Sequence, residues 1–90
     1  MGYFVYMLKC ADGSLYTGIA QNLEKRLLEH QAGKGSKYVR SRQSFALVYQ
    51  EFHESKSAAL KREHFIKKLT RLQKIKLISQ SQPNEQSSNH

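Results

Sequence analysis

Three stretches of the chain are rich in aromatic and branched hydrophobic residues, and each predicts a β-strand. Residues 3–9 carry hydrophobic side chains at both even and odd positions, which is typical of a strand covered on both faces, so we expect it to be central in the sheet. Residues 14–20 follow the turn signal Asp12-Gly13, and the two stretches predict a β-hairpin with a slightly long loop. Residues 45–53 form the third predicted strand.

Helical spacing and capping residues predict a helix directly after the hairpin. Asn22 is a favourable N-cap, and Gly33 is placed to end the helix as the first residue beyond it. Leu23 and Leu27, four residues apart, begin an apolar stripe that would pack on the sheet.

Two more helices are predicted in the C-terminal half. The first is capped by Ser55 or Ser57 and runs to about Leu69. Its apolar stripe comprises Ala59, Leu60, Ile66 and Leu69. Thr70 and Gln73 fit the capping-box pattern, which predicts the start of a last short helix. The apolar residues of that last helix are Leu72, Ile75 and Ile78.

The predicted order β-β-α-β-α-α indicates a small α+β fold, in which helices flank a three-stranded, mostly antiparallel sheet. Residues 1–78 form one domain in this prediction, and we expect the polar segment 79–90 to be disordered because it has no apolar anchor. One cysteine excludes an internal disulfide, and no apolar run reaches the roughly 20 residues that a bilayer crossing needs. The first residues lack a signal-peptide pattern, so we expect a cytoplasmic protein without a membrane partner.

The balance of charge adds a prediction about partners. Fifteen Lys and Arg residues against seven Asp and Glu give a net charge of +8, and the excess lies mainly in residues 34–42 and 56–76. A surface of this kind predicts a polyanion partner, DNA first and RNA second. The alternative is a surface that serves only solubility. We expect the protein to be a monomer, with a repair protein as a further candidate partner.

A candidate site emerges from the strands of the hairpin and the helix that follows. Tyr6 and Tyr16 lie on the two paired strands, and Arg26 and His30 are one helical turn apart. These are more polar reactive groups than a chain of this size needs for folding alone. Gly18 is on the same strand face as Tyr16 and leaves a groove beside its ring. Close approach by another backbone or a ligand is one explanation of this glycine, and a bulge or tight packing is an equally good one.

An acidic residue falls within the apolar stripe of the second predicted helix. Glu63 lies four residues after Ala59 and three before Ile66, where an unpartnered carboxylate would be costly. It is therefore expected either to pair with a cationic side chain as a structural bridge or to reach a metal ion at the edge of the core, and position alone does not choose between them.

The segment 33–44 predicts a loop with an excess of positive charge. Its cationic residues include Lys34, Lys37, Arg40 and Arg42. We interpret it as an arm that contacts phosphates of a nucleic acid. It is not a P-loop, because the GxxxxGK[ST] spacing and a preceding strand are both missing.

Taken in order, these residues resemble the signature of the GIY-YIG nuclease superfamily. Phe-Val-Tyr at 4–6 and Tyr-Thr-Gly at 16–18 stand at its two tripeptides, and Asn-Leu-Glu-Lys-Arg-Leu at 22–27 stands at its helix motif. His30 and Glu63 fall at the remaining two signature positions. The resemblance extends to about residue 78. The runs GKGSKYVRSR, ALVYQEF and ALKREHFIKKL further resemble the small stand-alone bacterial branch of that superfamily.

The resemblance implies hydrolysis of a DNA phosphodiester with one divalent metal ion, Mg²⁺ or Mn²⁺. Glu63 would be the only protein ligand of the ion, with water and phosphate oxygens completing its shell. Arg26 would hold the phosphate, and Tyr16 would orient water or phosphate. Tyr6 is the general base that the family favours, although a phenol with a pKa of about 10 is a poor base at neutral pH. His30, with an ordinary pKa of about 6.5, is the rival base.

Two departures from the family pattern bear on activity. Phe4 stands where glycine is common, and Ile19 stands where the repair nucleases carry a lysine that would help to activate a tyrosine. The leading hypothesis is a metal-dependent DNA endonuclease of low sequence specificity that selects branched, damaged or flapped structures in repair or processing. The alternative is a non-catalytic nucleic-acid-binding module or adaptor on the same scaffold.

Overall fold

The computed structural model describes residues 2–32 and 44–81. These residues form three strands and three helices, in the predicted order. The elements are β1 (Tyr3–Cys10), β2 (Leu15–Ala20), α1 (Leu23–Gln31), β3 (Phe45–His53), α2 (Lys56–Lys67) and α3 (Arg71–Gln80). None of these helices is both long and apolar enough to span a membrane.

The three strands form one antiparallel sheet in the order β2-β1-β3, so the central position predicted for β1 is confirmed. The hairpin between β1 and β2 turns at Gly13, whose φ of 88° is favourable only for glycine. The Asp12 carboxylate accepts a hydrogen bond from the Ser14 backbone N–H at 3.0 Å, which closes the turn. The pairing of β1 with β2 is regular, whereas the β1–β3 register shifts between Met7 and Leu8.

Alternate side chains of β1 enter two separate cores, one on each face of the sheet. Val5 and Met7 pack against the residues of α2 and α3, together with Tyr49 of β3. Tyr6 and Leu8 face the opposite way and pack against residues of α1. Burial on both faces explains why β1 has no polar side of its own. The helices α2 and α3 therefore lie on one face of the sheet, and α1 lies on the other.

The predicted helix starts are confirmed by their caps. Asn22 accepts a hydrogen bond from the Lys25 N–H, Ser55 accepts one from the Ala58 N–H, and Thr70 forms a reciprocal capping box with Gln73. The helix α2 ends at Lys67, shortly before the expected boundary, and α3 extends to Gln80, past residue 78. Gly33 lies outside the described residues.

The predicted apolar stripes of α2 and α3 are only partly correct. Ala59 and Ile66 are fully buried, as expected. Leu60 and Ile75 are each 43% exposed, and Leu72 is 79% exposed. Leu60 follows Ala59 by one position, which turns its side chain about 100° around the helix and away from the sheet. Leu77 and Ile78 pack against the core instead of Leu72.

Candidate active site

A buried hydrogen bond joins the first strand to the first helix. The Tyr6 hydroxyl lies 3.0 Å from His30 Nε2, and the two residues are 0% and 4% exposed. Leu23, the first residue of α1, is buried against the same face of the sheet. His30 follows Leu23 by seven residues, or two helical turns, so it lies on the same side of α1 and is directed at Tyr6.

Two further aromatic rings surround the His30 imidazole. Tyr16 lies edge-to-face against it, with the ring centroids 5.6 Å apart, and Phe45, at the start of β3, does the same at 5.9 Å. The rings of Tyr6 and Tyr16 are 6.3 Å apart. These contacts fix the plane of the imidazole between the two tyrosines. Sequence reasoning assigned Phe45 to a strand but gave it no place at the site, because its partner is reached only through the fold.

Gly18 makes room for both tyrosines. It pairs with Tyr6 across the β1–β2 ladder, and a Cβ atom at this position would lie 2.8 Å from Tyr6 Oη and 3.2 Å from Tyr16 Cε2. Of the explanations offered by the sequence, tight packing is therefore correct, because the atoms that leave no room for a side chain here belong to Tyr6 and Tyr16. A bulge is excluded, because the register of β2 against β1 is regular at Gly18.

Arg26 lies one helical turn before His30, at the exposed margin of the site. Its guanidinium is about half-exposed, and Nε lies 3.2 Å from Glu29 Oε1. Arg26 is close enough to act on both buried groups, because its charge lowers the pKa of Tyr6 and of His30. A permanently charged, accessible guanidinium beside a phenol is well suited to bind an anion such as a phosphate.

The site holds its two buried groups in their neutral forms at neutral pH. Burial raises the pKa of Tyr6 to about 12, with Tyr16 and Glu63 adding to this effect and Arg26 opposing it. Burial, reinforced by Arg26, lowers the pKa of His30, while Glu29 opposes the change. A neutral imidazole can accept the phenolic proton at Nε2. His30 Nδ1 is buried without a hydrogen-bond partner among the described residues.

Glu63 occupies the inward-facing position on α2 that the sequence predicted. Its side chain is only 17% exposed, and Oε2 lies 3.1 Å from Lys67 Nζ, one helical turn further on. The structural bridge is therefore present. The carboxylate also lies close enough to Tyr6 to raise the pKa of that phenol, although α2 packs on the other face of the sheet. The i, i+4 spacing was a signal for Lys67 that the sequence analysis did not use.

The donor set fits a weakly held, hydrated divalent ion and not a fully protein-ligated one. No group of three or more His, Cys, Asp or Glu side chains in residues 2–32 and 44–81 is arranged to hold a metal. A single carboxylate is compatible with Mg²⁺, because this ion keeps several of its water ligands.

Four predicted site residues are outside the part of the chain that the structure describes. These are the cationic loop residues Lys34, Lys37, Arg40 and Arg42. Their role in binding nucleic acid stays a prediction.

A separate polar network joins β3 to α2, away from Tyr6 and His30. The Tyr49 hydroxyl donates to Glu51 Oε1, while His53 Nε2 and Arg62 Nε lie 2.6 and 2.8 Å from Glu51 Oε2. Burial alone would raise the pKa of Glu51, but the bonds from these three partners outweigh it and lower the pKa. His53 is thus a structural residue. The network leaves no pattern in the sequence, because its members come from two elements.

Comparison with known proteins places this geometry in a family. Residues 2–76 match the GIY-YIG catalytic domain. A UPF0213 protein of Staphylococcus saprophyticus is 51% identical over 78 residues, which cover 87% of this chain and 95% of that protein. A UPF0213 protein of Staphylococcus epidermidis is 53% identical over 78 residues, with the same coverage of both chains.

Two solved structures are similar over most of the chain. The solution NMR structure of a UPF0213 protein from Bacillus halodurans has a TM-score of 0.62 and 40% identity, and the match covers 97% of this chain and 94% of that one. The solution NMR structure of a protein from E. faecalis has a TM-score of 0.61 and 36% identity, and covers 88% and 85% of the two chains. With its paired tyrosines, helical Arg26 and His30, and inward Glu63, this chain belongs to the GIY-YIG catalytic domain family, a family of nucleases, among relatives that are small bacterial UPF0213 proteins.

Proposed function

We propose that the protein is a metal-dependent DNA endonuclease that hydrolyses phosphodiester bonds with low sequence specificity. The observation that carries the proposal is the buried Tyr6–His30 hydrogen bond, enclosed by Tyr16 and bordered by the accessible guanidinium of Arg26. A fold that needed only a packed core would not require an ionisable pair at this depth with a cation at its margin. A role in DNA repair or processing in the cytoplasm, as a monomer, belongs to the same proposal.

The two tyrosines have different roles in this mechanism. Tyr6 is fully buried, whereas Tyr16 is partly exposed, so Tyr16 is the phenol that can meet the attacking water. Tyr6 and His30 lie behind it, where the Tyr6 phenol donates a hydrogen bond to Nε2 of neutral His30 and holds the imidazole in place beside Tyr16. This arrangement gives the histidine and Tyr6 a joint role and does not require a free tyrosinate.

Arg26 and Glu63 would act on the phosphate. The Arg26 guanidinium binds a non-bridging phosphate oxygen and neutralises charge as the water attacks. Glu63 would hold the divalent ion, Mg²⁺ or Mn²⁺, which when bound supplies Lewis-acid stabilisation of the phosphate and of the leaving oxygen. For the ion to bind, the Glu63 carboxylate must give up its contact with Lys67.

A second candidate function is a nucleic-acid-binding module or adaptor that does not cleave. Two observations favour it: the phenol of Tyr6 is fully buried with a pKa of about 12, and the Glu63 carboxylate is already paired with Lys67. Such a module would bind DNA or RNA through phosphate contacts and deliver it to a repair protein.

Cleavage of DNA separates the two functions. Wild-type protein, Glu63→Gln and the control Glu54→Gln are incubated with linear, nicked and branched DNA in Mg²⁺, in Mn²⁺ and in chelator. Glu54 is an exposed carboxylate before α2 and has no place at the site. We expect cleavage by wild type and by Glu54→Gln in metal only, and a loss of about 10²- to 10³-fold in Glu63→Gln. Cleavage that persists in chelator and in Glu63→Gln would refute the mechanism, and binding without cleavage would establish the second function.

A further inference from the structure

The net positive charge of the described protein lies in α2 and α3. Residues 56–80 contain eight Lys and Arg side chains and one carboxylate, a net charge of +7. Residues 2–32, which carry the tyrosines, Arg26 and His30, contain three cationic and three acidic side chains, and residues 44–55 contain two acidic ones and no Lys or Arg. The tyrosines, Arg26 and His30 thus lie in the electrically neutral part of the described chain, whereas the positive charge lies on the helices of the opposite face, which also carry Glu63.

Of the cationic side chains of α2 and of Lys68 at its C-cap, two are paired with carboxylates, and the others, Lys56 among them, are exposed. Arg62 bonds to Glu51, and Lys67 bonds to Glu63. Lys61 and Lys68 are exposed, and neither forms an ion pair with another residue of the described ranges. They are seven residues apart, so they lie on one stripe of the helix.

This outward stripe faces away from the catalytic carboxylate. Lys61 precedes Glu63 by two residues, which places the two side chains about 160° apart around α2 at 3.6 residues per turn. A DNA segment bound between Arg26 and Glu63 therefore cannot also lie straight along Lys61 and Lys68. DNA that contacts both the candidate active site and the two lysines must be either a bent duplex or a branched molecule with a second arm.

We propose that the outward stripe of α2, with Lys61 and Lys68, is a second phosphate-binding surface, which holds a DNA segment other than the one at the candidate active site. The substrate class is consequently branched or sharply bent DNA, whose two arms meet the two faces of the sheet. The inference rests on the proposed function in one respect, namely that a first DNA segment binds at the candidate active site. Phosphate contacts of exposed lysines are independent of sequence, which agrees with a nuclease of low sequence specificity.

The test compares how tightly the protein binds a labelled three-way junction and a linear duplex of equal length. Binding is measured by fluorescence anisotropy, in the presence of chelator and at salt concentrations between about 50 and 200 mM. The proteins are wild type, Lys61→Gln, Lys68→Gln, the double variant and Lys25→Gln. Lys25 is an exposed lysine on α1. Its substitution removes the same positive charge as each α2 variant does, but from the other face of the sheet. All substituted side chains are exposed, and circular dichroism checks that the fold is kept.

We expect wild type to prefer the junction. Substitution of Lys61 or of Lys68 lowers the slope of log affinity against log salt for the junction by about 0.9. The double variant reduces the affinity for the junction about 5- to 10-fold more than the affinity for the duplex. Lys25→Gln leaves the ratio of the two affinities unchanged. An unchanged ratio in the double variant would overturn this inference. If wild type cleaves DNA but the double variant keeps the wild-type ratio of junction to duplex affinity, only this inference fails. If the double variant lowers that ratio but wild type cleaves nothing in the presence of metal, only the proposed endonuclease activity fails.

Discussion

At the scale of single residues, Gly18 decides how close the two tyrosines can come. The position pairs with Tyr6 in the hairpin, and the absence of a side chain lets the Tyr6 ring lie across β2 towards Tyr16 and His30. The same contact explains why Tyr6 is fully buried although its hydroxyl is polar: the hydroxyl finds His30 Nε2 as its partner. A strand residue thus shapes the site without taking part in any chemistry.

We predict that Gly18→Ala disrupts this arrangement. The added methyl group would stand 2.8 Å from Tyr6 Oη, so the phenol must move and the bond to His30 is lost. The expected loss of stability is about 1–3 kcal/mol, measured by urea denaturation. Tyr6→Phe removes the hydroxyl oxygen that the methyl would meet, so the double variant should lose less than the sum of the two single variants. Strict additivity would contradict the clash.

Glu63 and Lys67 give a second prediction at the residue scale. Lys67 Nζ contacts the carboxylate to which the proposed metal ion would bind, so Lys67→Met should raise the affinity for Mn²⁺ in the absence of DNA. Solvent screens this ion pair because the Lys67 side chain is half-exposed, although Glu63 is mostly buried. We therefore expect an increase of about 2- to 5-fold, measured by calorimetry or by electron paramagnetic resonance.

The control for this prediction is Lys68→Met, which removes an exposed charge next to Lys67 without touching Glu63. Equal Mn²⁺ affinities in the two variants would show that Lys67 does not compete with the ion. Glu63→Gln should abolish the binding in either background.

At the scale of elements, α2 is joined to the sheet by a polar network as well as by its core residues. Arg62 reaches Glu51 on β3, while Ala59 and Ile66 pack against Val5 and Met7. Three donors converge on the one carboxylate of Glu51, from Tyr49, His53 and Arg62. Because α2 also carries Glu63, this network helps to hold the proposed metal ligand near the tyrosines.

We predict that Glu51→Gln lowers stability by about 1–3 kcal/mol at neutral pH, because three hydrogen bonds to an ionised carboxylate are weakened. The control is Glu54→Gln, an exposed neighbour, which should stay within about 0.5 kcal/mol of wild type. The measurement is urea denaturation at pH 7 and at pH values below 4.5.

The pH dependence has a defined sign. The folded-state pKa of Glu51 is lower than its ordinary value of 4.5, so its contribution to stability is complete above pH 4.5 and is lost as the pH falls through the folded pKa. Wild type and Glu51→Gln should therefore converge in stability at low pH. A difference that stays constant from pH 7 to acid would assign the effect of the substitution to packing.

At the scale of the whole molecule, the sheet separates two surfaces with different character. One face carries α1 with the neutral cluster of Tyr6, Tyr16 and His30, and the other carries α2 and α3 with most of the positive charge. Glu63 connects them, because it projects from α2 and still affects the pKa of Tyr6. The division of charge is the reason to expect DNA at more than one face.

The sequence by itself determined the strands, the helix starts and the order of elements. These depend on interactions within a few residues: the continuous hydrophobic run of β1, the Asp12-Gly13 turn, and side-chain caps at Asn22, Ser55 and Thr70. The proximity of Tyr6, Tyr16 and His30 also follows from the sequence, because hairpin pairing and helical spacing depend on residues that are near each other in the chain.

Only the tertiary structure decided which faces of these elements meet. The full burial of Tyr6, the packing of Phe45 on His30, and the exposure of Leu60 and Leu72 all depend on residues distant in the sequence. The same holds for the Glu51 network, which joins a strand to a helix. Periodicity identifies an apolar stripe on a helix. The sheet covers only some residues of that stripe, and which ones depends on how the helix lies on the sheet. Packing of the whole chain fixes that position.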